Sequence, residues 1–226
     1  MSGTDLIGQA RTGTGKTLAF GSSLLHRLQT TAEAADKPID HGKPRALVIA
    51  PTRELASQVT RDLELAGSRL NMRVLTIYGG TSYDEQLRAL KRGVDVVVGT
   101  PGRLLDLANR RDLDLSHVEI LVLDEADEML DLGFLPDIEK ILAKTPTSRH
   151  SLLFSATMPA PILALARSTL NRPINVRAEG ADAQATVPDI EQFVYQAHDL
   201  DKPEVVARII QAREVGKVMI FCRTKR

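Results

Sequence analysis

Short, continuous apolar runs alternate with amphipathic stretches along this chain of 226 residues. The runs are Asp5–Gln9, Ala46–Ala50, Val74–Tyr78, Val94–Val98, Ile120–Leu123 and Ser151–Phe154. Runs this short, with little polar alternation, predict strands covered on both faces. The segments between them carry helical spacing. Leu18, Leu24, Leu25 and Leu28 mark a helix from Lys16 to Gln29, and Leu55, Val59 and Leu63 mark a second. Ser82 with Glu85 forms a capping box for a third. Thr100, followed by Pro101 at the first helical position, opens a fourth. Ile138, Ile141 and Leu142 lie on a fifth, and Ile162, Leu165 and Ala166 on a sixth that Pro159 opens. Thr30–Pro44 is polar and reads as a surface loop.

Strand–helix alternation of this kind predicts an α/β domain, a parallel sheet with helices on both faces and right-handed crossovers. That domain spans 1–177. Asn175–Val187 loses periodicity and reads as a linker, assigned to 178–189. Beyond it, Ile190–Gln196 and Lys217–Cys222 read as strands around a helix that carries Val205, Val206, Ile209 and Ile210. Two strands and a helix cannot close a core, so 190–226 reads as the start of a second domain that is cut off. Phe193, Val205, Ile209 and Ile220 are then expected to lack cover, and proteolysis is expected near Glu179–Gln184.

Composition narrows the picture further. Apolar residues make up 43% of the chain and Trp is absent, so the core is built from Leu, Val, Ile and Ala. Lys plus Arg and Asp plus Glu both number 29. This argues against a protein held to nucleic acid by bulk charge and leaves a local groove open. The single Cys222 excludes an intramolecular disulfide framework and a cysteine-based zinc site, and fits a reducing setting. With no signal-peptide pattern and no apolar run of membrane-spanning length, the expectation is a soluble, cytoplasmic chain without a membrane partner.

Ligands of open parallel sheets sit at the carboxyl ends of the strands, and the unusual segments all fall there. After the first run comes ARTGTGKT, Ala10 to Thr17. Gly13 and Gly15 allow a tight turn whose N–H groups face an anion, and Lys16 supplies a charge for β- and γ-phosphates. Thr17 offers a hydroxyl to Mg²⁺, and the following helix directs its positive end at the same place. Ala10 stands where the general phosphate-loop pattern has Gly. After ILVL come Asp124 and Glu125. Asp124 is placed to hold Mg²⁺, partly through water, and Glu125 to take a proton from an attacking water. An acidic, solvated helix start would also place Asp and Glu here.

LVLDEADEMLDLGF resembles motif II of the DEAD-box RNA helicases, with Asp124–Asp127 as the tetrapeptide. ARTGTGKT is similar to their motif I, in which Ala at the first position is usual. PTRELA from Pro51 resembles motif Ia, Gly79-Gly80 the GG element and TPGR from Thr100 motif Ib. SAT at Ser155–Thr157 resembles motif III, and IFCRT at Ile220–Thr224 motif IV. The resemblance implies an ATP-dependent RNA helicase core of RecA-like domains. It implies ATP binding by Ala10, Arg11, Thr12, Gly13, Thr14, Gly15, Lys16 and Thr17, and catalysis by Lys16, Asp124 and Glu125. Mg²⁺ is implied at Thr17 and Asp124. Asp127, Ser155 and Thr157 would couple the state of ATP to strand separation. Sequence-independent contact with the RNA backbone is implied for Pro51, Thr52, Arg53, Gly79, Gly80, Thr100, Pro101, Gly102 and Arg103.

The resemblance also implies parts that these 226 residues do not include: an adenine-recognising glutamine segment ahead of motif I, and motifs V and VI with their γ-phosphate arginines. The expectation is that this chain by itself hydrolyses ATP poorly, since an arginine finger is worth about 10³–10⁵ in rate. A fragment that binds nucleotide or RNA without turnover, and a DNA-directed helicase of the same superfamily, are the alternative readings.

Overall fold

The computed structural model describes residues 4–10, 13–35, 43–178, 191, 193–212 and 216–222. The chain divides into two units, Met1–Asp182 and Ala183–Arg226.

The first unit is a seven-stranded sheet in the order β3-β4-β2-β5-β6-β1-β7. Its strands are β1 (Leu6–Gln9), β2 (Ala46–Ile49), β3 (Val74–Ile77), β4 (Val96–Gly99), β5 (Ile120–Leu123), β6 (His150–Ser155) and β7 (Ile174–Arg177). Every pairing is parallel. The helices are α1 (Lys16–Ala35), α2 (Arg53–Ala66), α3 (Tyr83–Arg92), α4 (Pro101–Asn109), α5 (Ala126–Asp131), α6 (Leu135–Leu142) and α7 (Ala160–Thr169).

The central strands ALVI, VVVG and ILVL are buried along their whole length. Successive side chains of one strand enter different cores, because strand side chains alternate between the two faces of a sheet. Leu47, Ile49, Val97, Leu121, Leu123 and Leu153 pack with Leu104, Leu107, Met129, Ile138, Ile141 and Leu165. Ala46, Val48, Val96, Val98, Ile120 and Val122 pack with Phe20, Leu24, Leu28, Val59 and Leu63 of α1 and α2.

Several boundaries differ from the sequence expectation. Ile174–Arg177 is a strand paired in parallel with β1, although Asn175 was expected to open the linker. All its side chains are exposed, so it leaves no apolar pattern to read. The helix expected after the acidic cluster is two helices, separated at Gly133, whose φ is +79°. The first helix runs on into the stretch expected as a polar loop, ending at Ala35.

In the second unit, α8 (Lys202–Gln211) is present and has no buried residue. The segments expected as strands, Ile190–Gln196 and Lys217–Cys222, form none among their described residues. A strand needs a neighbouring ladder, and no strand of this unit is described to provide one. Phe193, Ile209 and Ile220 are exposed and Val205 is half-buried. The expected cleavage segment, Glu179–Gln184, lies outside the described residues. Among the described residues no helix is long and apolar enough to cross a membrane.

Candidate functional site

The described segments singled out in the first unit sit where its parallel strands end, whereas Ile220–Cys222 of the IFCRT segment, in the second unit, are exposed and form no strand. The loop after β1 turns through Gly13 and Gly15 at φ +84° and +83°, and a Cβ at either would meet nothing within 4 Å. The backbone there is turned as only glycine adopts freely, around open space. Arg11 and Thr12 of this loop lie outside the described residues. Ala10 is buried, and its N–H donates to the Ser155 carbonyl at 3.1 Å. Thr14 is exposed, and Thr17 is half-buried in the first turn of α1.

Lys16 opens α1 and points into the protein. Its Nζ lies 3.7 Å from Asp124 Oδ1 and 3.7 Å from Glu125 Oε1. Neither distance closes a hydrogen bond, and both Lys16 Nζ and Asp124 Oδ1 are buried without a hydrogen-bond partner. Buried polar atoms are nearly always satisfied, and an exception calls for an explanation. The ion pair leaves hydrogen-bonding capacity on both the ammonium and the carboxylate, which suits a phosphate and a divalent cation bound beside them. The residues present therefore suit Mg²⁺-nucleotide.

Asp124 is 2% exposed, and its N–H donates to Ile49 O at 2.9 Å, which fixes it to the end of β2. Burial pushes its carboxyl up to about 6, with Lys16 pulling the other way and Glu125 adding to the rise. Glu125 sits at the N-cap of α5 with φ 55° and ψ 55°. A non-glycine residue in the left-handed region stores about 1–3 kcal/mol of strain, as functional sites often do. Sequence reasoning passed over Glu128. Its carboxyl is pushed up to about 7, chiefly by a hydrogen bond with Glu125 and then by burial and the charges around it. The available signal was its place three residues after Glu125, on the same helical face.

Asp127, Ser155 and Thr157 do come together. Asp127 Oδ2 accepts from the Thr157 N–H and from its hydroxyl, each at 2.8 Å. The Asp127 N–H donates to Ser155 Oγ at 3.1 Å. Burial would raise the Asp127 carboxyl, but the hydrogen bonds from Thr157 and Ser155 outweigh it and hold it below its ordinary value. Gln9, a second residue that sequence reasoning missed, donates to Ala156 O at 3.2 Å and accepts from Arg177 Nε at 3.0 Å. It ties the strand before the phosphate loop to the SAT turn.

Pro51, Thr52, Arg53, Gly79, Thr100, Gly102 and Arg103 line one open groove of about 620 Å³, together with Glu54, Tyr83, Asp106 and Phe134. Thr52 also caps α2, accepting from Leu55 N at 3.2 Å. Pro101 is buried in the first turn of α4 and does not line the groove. Gly80, at φ +79°, leaves room for Arg53: a Cβ there would come within 2.6 Å of its guanidinium. Arg53 is exposed, and neither it nor Arg103 makes a salt bridge among the described residues.

Comparison with known proteins agrees with this geometry. The family model described as DEAD/DEAH box helicase matches residues 1–165. The chain is 45% identical over 226 residues to the ATP-dependent RNA helicase CshA of Listeria monocytogenes, covering 100% of this chain and 41% of the relative. It is 45% identical over 222 residues to the DEAD-box ATP-dependent RNA helicase CshA of Geobacillus kaustophilus, covering 98% of this chain and 45% of that one. The chain thus spans less than half the length of these curated relatives. Among solved structures, it resembles a DEAD box protein from Methanococcus jannaschii with a TM-score of 0.69 and 37% identity, covering 93% of this chain and 53% of that one. A hypothetical ATP-dependent RNA helicase from Sulfolobus tokodaii gives a TM-score of 0.69 and 36% identity, covering 78% and 48%. The parallel sheet is of the RecA-like kind these structures share. The motif set, the family match and the two structural neighbours converge: this chain belongs to the DEAD/DEAH box helicase family.

Proposed function

We propose that this chain supplies the ATP-binding part of an RNA helicase motor, which binds ATP with Mg²⁺, holds the RNA backbone and couples ATP hydrolysis to strand separation. The observation that carries the reading is the buried trio of Lys16, Asp124 and Glu125 beside the open phosphate loop, with Lys16 Nζ and Asp124 Oδ1 unsatisfied. The names of the curated relatives support RNA rather than DNA as the strand and support turnover rather than binding alone.

Residues Ala10–Thr17 cradle the phosphates, with Lys16 on the β- and γ-phosphates. Thr17 and Asp124 hold Mg²⁺, partly through water, as suits an ion that keeps much of its hydration shell. When bound, the ion neutralises charge on the phosphate oxygens. Glu125 accepts a proton from the attacking water. Asp127, Ser155 and Thr157 form the group that senses the nucleotide and passes its state to the RNA face. Pro51, Thr52, Arg53, Gly79, Thr100, Gly102 and Arg103 form that face, with Gly80 giving Arg53 its room and Pro101 opening α4, and backbone N–H groups and two arginines meet phosphates there without reading sequence. We assign 1–177 to the ATP-binding RecA-like domain, 178–189 to a linker and 190–226 to the opening of a second RecA-like domain. The lone Cys222 suits a cytoplasmic setting.

Separate variants test the two faces. Binding of a fluorescent ATP analogue with Mg²⁺, and of a labelled single-stranded RNA, is measured on the 226-residue chain. Lys16→Ala should weaken the nucleotide and leave RNA binding in the absence of nucleotide unchanged. Arg53→Ala should do the reverse and lower the salt-dependence slope by about 1. An Arg53→Ala variant with native RNA affinity and native salt slope would remove the groove from the reading. Native nucleotide affinity in Lys16→Ala would remove the phosphate loop.

A further inference from the structure

Three arginines of the first unit pair with carboxylates. Arg45 pairs with Glu119 at 2.9 Å, Arg110 with Asp112 at 3.0 Å and Arg73 with Asp95 at 3.9 Å. Arg103 is held instead by neutral groups. Its guanidinium carbon lies 3.8 Å from the centroid of the Tyr83 ring. One Nη donates to Gln86 Oε1 at 3.3 Å and the other to Thr81 O at 3.2 Å.

Those partners are themselves fixed. Gln86 is 6% exposed and donates to Tyr78 O at 3.1 Å and Thr81 Oγ1 at 2.8 Å. Thr81 Oγ1 donates in turn to Tyr78 O at 3.2 Å. The Tyr83 hydroxyl donates to Asp106 Oδ2 at 2.6 Å, which ties the ring to α4. Arg110 lies 4.7 Å from the same ring centroid and has Asp112 as its own partner.

A guanidinium presents five N–H donors in a rigid fork. Here two donors go to neutral oxygens, the guanidinium lies over an aromatic ring, and it makes no salt bridge among the described residues. An anchor built this way loses little side-chain entropy when it meets an anion and need not first break an ion pair. It also lines the groove that carries Arg53.

We propose that Tyr83 and Gln86 are positioning residues that hold Arg103 stacked, hydrogen-bonded and unpaired in charge as a preformed contact for an RNA backbone phosphate. The inference rests on the reading of the groove as the RNA face. Neither residue belongs to the motif strings that marked that face in the sequence. Both lie at the start of α3, just after the Gly79-Gly80 turn, so the network also locks that turn to the start of α4.

The test uses the 226-residue chain and fluorescein-labelled single-stranded oligouridylate, with affinity followed across a salt series. Tyr83→Leu and Gln86→Leu should each weaken binding by about two- to fivefold, the range expected of a lost cation–π contact or one hydrogen bond. Tyr83→Phe keeps the ring and should stay close to native. In an Arg103→Ala background, Tyr83→Leu should cost nothing more, because residues that act through one partner are not additive. A variant that merely loosened the fold would weaken binding in both backgrounds. Relaxation of the Arg103 Nε–H signal supplies a readout that needs no RNA: its order should fall in Tyr83→Leu and persist in Tyr83→Phe.

Native affinity in both Tyr83→Leu and Gln86→Leu, with Arg103→Ala weakened, would overturn the inference and leave the RNA reading standing. The same holds if Tyr83→Leu weakens binding equally with and without Arg103. Native affinity in Arg103→Ala would overturn the use of this arginine on RNA, and the inference with it.

Discussion

At the scale of single residues, the proposed nucleotide site rests on a few polar residue types. Lys, Thr, Asp and Glu can do only a few things at the ends of buried strands, and Lys16, Asp124 and Glu125 do meet. What could not be read was the state in which they are held. The left-handed backbone at Glu125, the raised carboxyl of Asp124 and the coupling of Glu128 to Glu125 depend on burial and on neighbours distant in sequence. Asp127 gives a direct test of such holding. Its folded-state pKa is depressed, so the unfolded chain takes up the proton more readily. Its contribution to stability is complete above the unfolded value, about 4, and is lost as pH falls through the folded one. Asp127→Asn should therefore be less stable than the native chain at pH 7, with the difference shrinking as pH falls toward 3. Urea denaturation at several pH values measures this. A difference that stays constant with pH would mean that the hydrogen bonds to Thr157 and Ser155 do not distinguish the charged carboxylate.

At the scale of elements, strands buried on both faces announced themselves, because every position in ALVI, VVVG and ILVL is apolar or Gly. Helix starts were nearly as plain. Ser82 caps α3, although it accepts from Asp84 N rather than closing the full box with Glu85. β7 was missed because a fully exposed edge strand is held by its backbone ladder alone, and a ladder has no side-chain signature. The described residues of Lys217–Cys222 and Ile190–Gln196 form no strand for the converse reason: apolar content without a partner strand makes no strand. One residue at this scale serves two purposes. Thr52 lines the groove and also caps α2. Thr52→Ala should lower stability by about 1 kcal/mol through the lost cap, read as a lower denaturation midpoint with an unchanged slope. Thr52→Ser should restore the midpoint, and if it does not, the hydroxyl is not the stabilising group.

At the scale of the molecule, stability should be uneven. The first unit has two apolar cores on either side of the sheet, whereas α8 in the second has no buried residue. Local opening free energies follow buried contacts. Backbone amides of β2, β4 and β5 should exchange with solvent only through global unfolding, and those of α8 at close to the rate of an isolated helix. Protection in α8 equal to that in β5 would show that α8 is covered in solution. The sequence by itself determined the class of fold, the phosphate loop, the acidic pair and the order of the motifs, because each rests on residue type and local periodicity. Tertiary structure decided the rest: the strand order β3-β4-β2-β5-β6-β1-β7, the buried approach of Lys16 to Asp124, and the stacking of Arg103 on Tyr83. Those depend on which strand ends become neighbours and on what burial then does to a charge, and neither is a property of any local stretch of chain.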